Sequence, residues 1–282
     1  MNHILKGSMF NRLTSRVYPL RIPFPPDEEA GWKPYAIFEG CTANLYELSC
    51  HVSVLTKGHC PHQPHRHHDQ EELLLLLSGE VDLILPDAQE APVGLKPGEF
   101  VYYPANFAHT LRTVSKVPAN YLMLKWSAAP TGLKKHVPFG RFRASGSGEP
   151  TVGHGPFQIQ TLFEGSTAFL RRLHCHTSVL EPGAGYKPHR DEYDVAIVVL
   201  EGQVETLEER VEPYGVIFYP AGEPHGLRNT GEGPARYIVF EFHGRATALA
   251  RVRARQMLKQ LARLVTPAPV RRRLRRFIDR HR

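Results

Sequence analysis

The chain has 282 residues, 41% hydrophobic and 22% charged, with 24 Pro and 23 Gly. That is globular composition, long enough for one large or two ordinary domains, and it favours a turn-rich β protein over a helical bundle. The net charge of +7 is uneven: from Arg245 onward thirteen Lys/Arg face one Asp, so the first 244 residues carry 22 Lys/Arg against 27 Asp/Glu and are mildly acidic. The basic balance belongs to the tail and does not mark the body as a nucleic-acid binder.

No run reaches the ~18 apolar residues needed to cross a bilayer. The N-terminal MNHILKGSMFNRLTSRVY lacks the apolar core of a signal peptide. Cys41, Cys50, Cys60 and Cys175 have no CxxC spacing and read as reduced thiols of a cytoplasmic protein.

Taken in chain order, residues 1–35 form an arm whose PFPPDEE is too proline-rich for regular structure. Residues 36–130 then hold CHVSVL, ELLLLLSGEVDLIL, GEFVYYP, HTLRTV and NYLMLKW, short apolar or alternating runs punctuated by Gly and Pro. This spacing predicts antiparallel strands in a sandwich or barrel. LLLLL does not alternate, so both its faces should be buried, one in the barrel and one against a twin domain or another chain; a homodimer is the expected assembly.

A Gly/Pro/Ser-rich linker follows at 131–157. The same design returns over 158–245: Phe38–Gly58 aligns with Phe163–Gly183 at a constant offset of 125, then LSGEV with LEGQV, FVYYPANFAHTLRT with VIFYPAGEPHGLRN, and NYLMLKW with RYIVFEF. Residues 246–282 form a basic tail with apolar positions Leu249, Val252, Met257, Leu261 and Leu264 at roughly helical spacing. Such a helix suits docking on the acidic body, an acidic partner or a membrane surface, with nucleic acid least favoured.

The stretch HCPHQPHRHHDQEE (His59–Glu72) concentrates imidazoles at the start of the leucine strand. In an extended chain His65 and His67 project together while Arg66 and His68 point the other way. A His-x-His pair is a two-nitrogen chelate for a divalent metal, and Glu71 or Glu72 can add a carboxylate. His109, after the turn YPANFAH, is the candidate from a strand remote in sequence. His59, His62 and His68 read as loop or outer-face residues.

These residues resemble the cupin family, and in duplicate a bicupin. Gly58, His65-Arg66-His67, Glu72 and Gly79 follow its first motif, with one residue more than usual between Gly58 and His65; the spacing to Gly79 favours Glu72 over Glu71. Gly98, Pro104 and His109 follow the second, with Asn106 where glycine is usual and Thr113 in place of asparagine. The resemblance implies an all-β fold of two tandem jelly-roll barrels, flanked here by the arm and the basic helical tail. It also implies one divalent transition metal held by His65, His67, Glu72 and His109. Iron(II) or manganese(II) is favoured, with nickel or zinc as alternatives.

In the second copy His189 keeps its place, Asp191 replaces the second histidine, and the glutamate position falls on Val195 beside Asp194; Pro220, Gly222, His225 and Asn229 fit. His189, Asp191, Asp194 and His225 are therefore expected to make at most a weak second site. Cys50-His51 and Cys175-His176 recur at equal positions, with each cysteine expected in buried packing. Three histidines and one glutamate leave two positions open on an ion that prefers six ligands. The expected function is a dioxygenase-like reaction on a small organic molecule. A metal-dependent isomerase or epimerase of a sugar or small acid, and a non-catalytic binder, are the alternatives.

Overall fold

The computed structural model describes residues 11–20, 31–87, 92–146 and 155–246, which contain strands and no helix. The basic tail from 247 onward, and PFPPDEE of the arm, lie outside the described residues. The first half contributes β1 (Arg16–Tyr18), β2 (Trp32–Gly40), β3 (Glu47–Leu55), β4 (Glu71–Ser78), β5 (Val81–Ile84), β6 (Val93–Leu95), β7 (Glu99–Tyr103), β8 (Thr110–Thr113), β9 (Ala119–Ser127) and β10 (Gly140–Arg143). The second contributes β11 (Phe157–Gly165), β12 (Arg172–Leu180), β13 (Gly185–His189), β14 (Asp194–Glu201), β15 (Val204–Thr206), β16 (Glu209–Val211), β17 (Val216–Tyr219), β18 (His225–Asn229) and β19 (Ala235–His243). Each half pairs one large sheet, ordered β10-β7-β4-β9-β3-β2 or β1-β17-β14-β19-β12-β11, with one small sheet, β6-β5-β8 or β13-β18-β15-β16. All pairings between these strands are antiparallel.

The leucine run explains how the barrels meet. In β4 the alternation sends Leu74 and Leu76 into the first barrel's own core, and Leu73, Leu75 and Leu77 into a second core shared with the other half. Both faces are buried because each large sheet has a barrel interior on one side and the twin sheet on the other. Across that shared core Phe38 meets Phe218, Phe100 meets Phe240 and Trp126 meets Phe242, with ring centroids 5.6, 5.7 and 5.1 Å apart. Each such pair adds about 0.5–1.5 kcal/mol beyond area burial. Of the two expected covers for this apolar face, the twin domain or another chain, the twin domain is the one that packs on it. Cys50 and Cys175 sit in the same core, and burial raises the Cys50 thiol pKa.

Two buried carboxylates stitch the halves together reciprocally. Thr42 and Thr167, equivalent in the repeat, each accept backbone N–H groups from the following turn, Asn44 and Leu45 or Phe169 and Leu170. Each hydroxyl donates to the other barrel: Thr167 Oγ1 to Glu71 Oε2 at 2.7 Å, and Thr42 Oγ1 to Asp194 Oδ2 at 2.7 Å. Glu71 and Asp194 are matching first residues of β4 and β14.

Burial lifts the Asp194 carboxyl to about 6, against hydrogen bonds from the Ala221 N–H and the Thr42 hydroxyl. A carboxyl whose folded value exceeds its unfolded one binds protons more tightly when folded, so this stability is present in full below pH ~4 and is lost as pH rises through about 6. Asp194→Asn removes the effect. In urea unfolding, the stability of wild type minus variant is expected to fall by roughly 2–3 kcal/mol between pH 4 and 7. A difference that stays flat with pH would rule out this assignment.

The arm and linker contribute strands that their composition did not suggest. β1 pairs with β17, on the edge of the second half's sheet, with Val17 opposite Ile217. β10, from the linker, pairs with β7, with Phe142 opposite Phe100. An open sheet edge offers a row of unpaired N–H and C=O groups, which is what recruits both segments. β2 begins at Trp32, inside the stretch read as arm, and β11 begins at Phe157, the last residue of the stretch read as linker.

Candidate metal centre

Strand alternation separates the adjacent glutamates. Glu72 turns into the first barrel, where Oε2 lies 2.7 Å from His109 Nε2 and Oε1 lies 3.2 Å from His67 Nε2. Glu71 turns to the interface, accepting from the Thr167 hydroxyl, the Ala168 N–H and Trp126 Nε1–H.

His65 and His67 lie in the loop preceding β4 and not in a regular strand, but one bridge makes His65 locally extended. The His65 N–H donates to the His109 carbonyl at 3.2 Å and the His109 N–H to the His65 carbonyl at 3.1 Å. His65 and His67 therefore project to one side, their Nε2 atoms 2.7 Å apart. Arg66 turns outward to Asp87 at 2.6 Å. The His67 carbonyl is held by the Asn106 N–H at 2.7 Å. Asn106 has φ 69°, and asparagine tolerates that left-handed conformation, which is how it stands where glycine is usual. Its counterpart Gly222, φ 84°, donates to the Asp191 carbonyl at 2.7 Å.

His109 Nδ1–H donates to the Phe107 carbonyl at 3.0 Å, which leaves the Nε2 lone pair for the centre, and Tyr103 stacks on the ring at 4.0 Å. Burial, with His62, His67 and His109 nearby, pushes His65 down to about 2, so it is neutral. Burial opposes ionisation of Glu72, but the close nitrogens of His109, Lys125 and His67 hold its carboxyl well below the usual range.

Both Glu72 oxygens and His65 Nδ1 are buried without an aligned hydrogen bond, although Lys125 Nζ approaches Oε1 to 2.5 Å. A buried carboxylate that faces imidazole nitrogens yet aligns with none is the environment of a group turned toward a cation. The donor set of three imidazoles and one carboxylate fits a divalent metal.

The centre opens on a cavity of about 650 Å³. Trp32, Leu111 and Met123 supply apolar wall; His51, His62, Gln63 and Lys125 supply polar atoms. Two of these escaped the sequence reading. His62, expected in a loop or on the outer face, packs its ring 3.9 Å from that of His65. Lys125 is directly opposite Glu72 on β9, a relation that only the strand order reveals. Tyr102 and Tyr103 are fully buried, and Arg112 turns outward, 3.8 Å from Asp82.

The second barrel repeats the frame with a different set. His189 pairs with His225 in the same antiparallel bridge, and Asp191 Oδ2 lies 3.6 and 3.3 Å from their Nε2 atoms. One donor atom from each of the three falls within 4.8 Å of the others. Asp194 is not among them. As the first residue of β14 it points to the interface, and Val195 occupies the interior position. The expected fourth group is therefore committed to Thr42 and the Ala221 N–H.

A family model described as the cupin domain matches residues 51–125 and again 176–241. No curated protein sequence is significantly similar to this chain. Solved structures share the fold at low identity. A Pseudomonas aeruginosa protein described as glyoxylate-induced is 16% identical, with TM-score 0.65 over 88% of this chain and 95% of its own. AerE from Microcystis aeruginosa is 14% identical, with TM-score 0.56 over 81% and 97%. Bacillus subtilis oxalate decarboxylase, in a study of its Mn(II) centres, is 10% identical, with TM-score 0.57 over 85% and 80%. Two consecutive matches to one model, on two barrels that each bridge a histidine loop to a facing histidine strand, mean that this chain belongs to the cupin family and is a bicupin.

Proposed function

We propose that the protein is a metal-dependent enzyme with dioxygenase-like chemistry on a small organic molecule, in the N-terminal barrel. His65, His67, Glu72 and His109 would hold iron(II) or manganese(II), manganese being the metal of the oxalate decarboxylase that shares the fold. The carrying observation is the convergence of three imidazole nitrogens, with a buried carboxylate against two of them, at the wall of a 650 Å³ cavity. When bound, such an ion would supply open coordination positions and, as iron(II), electrons for dioxygen chemistry.

The chain's own residues do the rest. Lys125 forms an ion pair with Glu72 at Oε1, which favours its ionised form, while Oε2 lies against His109. The same ammonium is the cation that lines the cavity, so an oxyanion of the substrate would be drawn to that wall. Trp32, Leu111 and Met123 exclude water from the remainder. The proposal includes a reducing compartment, in keeping with four cysteines that form no disulfide, three of them buried.

A second reading, a metal-dependent isomerase or epimerase of a sugar or small acid, draws support from His51 and His62. Burial lowers both pKa values, His51 to about 4, so both are neutral proton acceptors on the cavity wall. The test is oxygen uptake by the iron(II)-loaded protein with small phenols, keto acids and sugars. Substrate-dependent uptake that disappears in His65→Ala/His109→Ala is expected. Isomer formation without oxygen would support the second reading, and tight binding without turnover would leave a binding protein.

A further inference from the structure

The second barrel lacks two of the expected donors but carries new ones on another wall. His174 and His176 lie two residues apart on β12, facing the barrel interior, while their neighbours Leu173 and Cys175 enter the shared core. On β19, Glu241 is the direct cross-strand partner of His174. The first barrel has the pair Ser49 and Lys125 at this point. In the same comparison the pair Glu72–Lys125 becomes Val195–Glu241. The interior carboxylate has moved one strand across, from the β4 position to the β9 position, and two imidazoles now stand beside it.

The local geometry is that of a site. His174, His176 and Glu241 each offer a donor atom, all within 4.8 Å of one another. His176 Nδ1 is buried, makes no hydrogen bond, and lies 3.9 Å from Glu241 Oε1. That gap is too long for a hydrogen bond and near the ~3–3.5 Å that separates two ligands on one ion with bonds of about 2.1 Å. The remaining atoms are steadied from outside. His243 Nε2 lies 2.9 Å from Glu241 Oε2, and His174 Nδ1 lies 2.7 Å from Glu164 Oε2, which Arg172 also contacts at 3.1 Å. Outer partners of this kind fix the orientation of ligating side chains. Burial lowers His176 to about 4, leaving it neutral. Burial also opposes ionisation of Glu241, yet His243 and the neighbouring histidines keep its carboxyl below the ordinary value.

We infer that His174, His176 and Glu241 form a divalent-cation site on the β12–β19 wall of the C-terminal barrel, suited to a first-row transition ion such as zinc(II). It is separate from His189, Asp191 and His225, although both groups reach one cavity of about 250 Å³. Two nitrogens and one carboxylate oxygen leave such an ion at least one open position toward that cavity.

The inference does not depend on the chemistry proposed for the first barrel, and its test silences that barrel. In full-length His65→Ala/His109→Ala protein, zinc(II) is titrated by calorimetry and cobalt(II) by its visible absorption. One equivalent is expected to bind. Its affinity should fall at least tenfold in His174→Ala/His176→Ala and in the isosteric Glu241→Gln, and change less than twofold in His189→Ala/His225→Ala. Melting temperatures in EDTA verify that each variant folds, with Glu241→Gln as the conservative case. Absence of binding, loss of the tightest equivalent in His189→Ala/His225→Ala, or its survival in Glu241→Gln would each overturn the inference.

Discussion

Glu71→Ala will destabilise the protein by about 3–5 kcal/mol, the range for breaking a buried charged hydrogen-bond network. Glu71 has no exposed surface and terminates three donors: the Thr167 hydroxyl at 2.7 Å, the Ala168 N–H at 2.9 Å and Trp126 Nε1–H at 3.0 Å. Two of the three come from the other barrel. Alanine strands all of them in a region that water does not reach, at about 1–3 kcal/mol for each unmet buried group before relaxation. Burial raises the Glu71 pKa, and Thr167, the Ala168 N–H, Tyr102 and Trp126 lower it, with burial ahead, so the ionised carboxylate itself carries a cost that its removal returns. The loss therefore stays below the simple sum. Glu71→Gln keeps the volume and one acceptor oxygen, and should cost about 1–2 kcal/mol. Urea denaturation followed by circular dichroism measures both; a Glu71→Ala loss under about 1 kcal/mol would show that the interface does not rely on this carboxylate.

The sequence made the larger features legible because they are periodic. Two copies at a fixed offset, strands between Gly/Pro turns, and a leucine run without alternation follow from strand geometry, and the structure has all three. The pairing of His65 with His67 follows from extended-chain geometry, which one bridge to His109 supplies in the loop, whereas the choice of Glu72 over Glu71 comes from the resemblance, through the spacing to Gly79. The strand period of two would have removed Asp194 from the second site: it aligns with Glu71, not with Glu72, and so points to the interface.

What stayed hidden depends on which strands are neighbours. Lys125 faces Glu72, and Glu241 faces both His174 and Val195, only because β9 and β19 run through the middle of their sheets. β1 joins a sheet roughly 200 residues downstream, at Ile217, because that edge is open, a property of the finished fold and not of RVY. His62 reaches His65 from a loop, where no period constrains it.

Glu72→Gln, one residue along the strand, is expected to leave the fold standing and to empty the N-terminal centre. The side chain turns to the cavity instead of the interface, so no donor of the twin barrel loses its partner. Lys125, with 22% of its side chain exposed, can turn toward water when its carboxylate is gone, which limits the stability cost to about 1 kcal/mol. The electrostatics of metal binding change far more. With Glu72 ionised, a divalent ion among neutral imidazoles retains a charge of about +1; with glutamine it retains +2, in a buried site with the Lys125 ammonium still close by. The amide oxygen is also the weaker donor. Affinity for manganese(II) or iron(II) should drop at least 100-fold, beyond the 10–100-fold typical of losing only an outer partner of a ligand. Elemental analysis and competitive titration against a chelator, beside a melting curve within a few degrees of wild type, are the measurements. Glu72→Gln protein that keeps its metal within tenfold of wild-type affinity would remove Glu72 from the ligand set and with it the proposed centre.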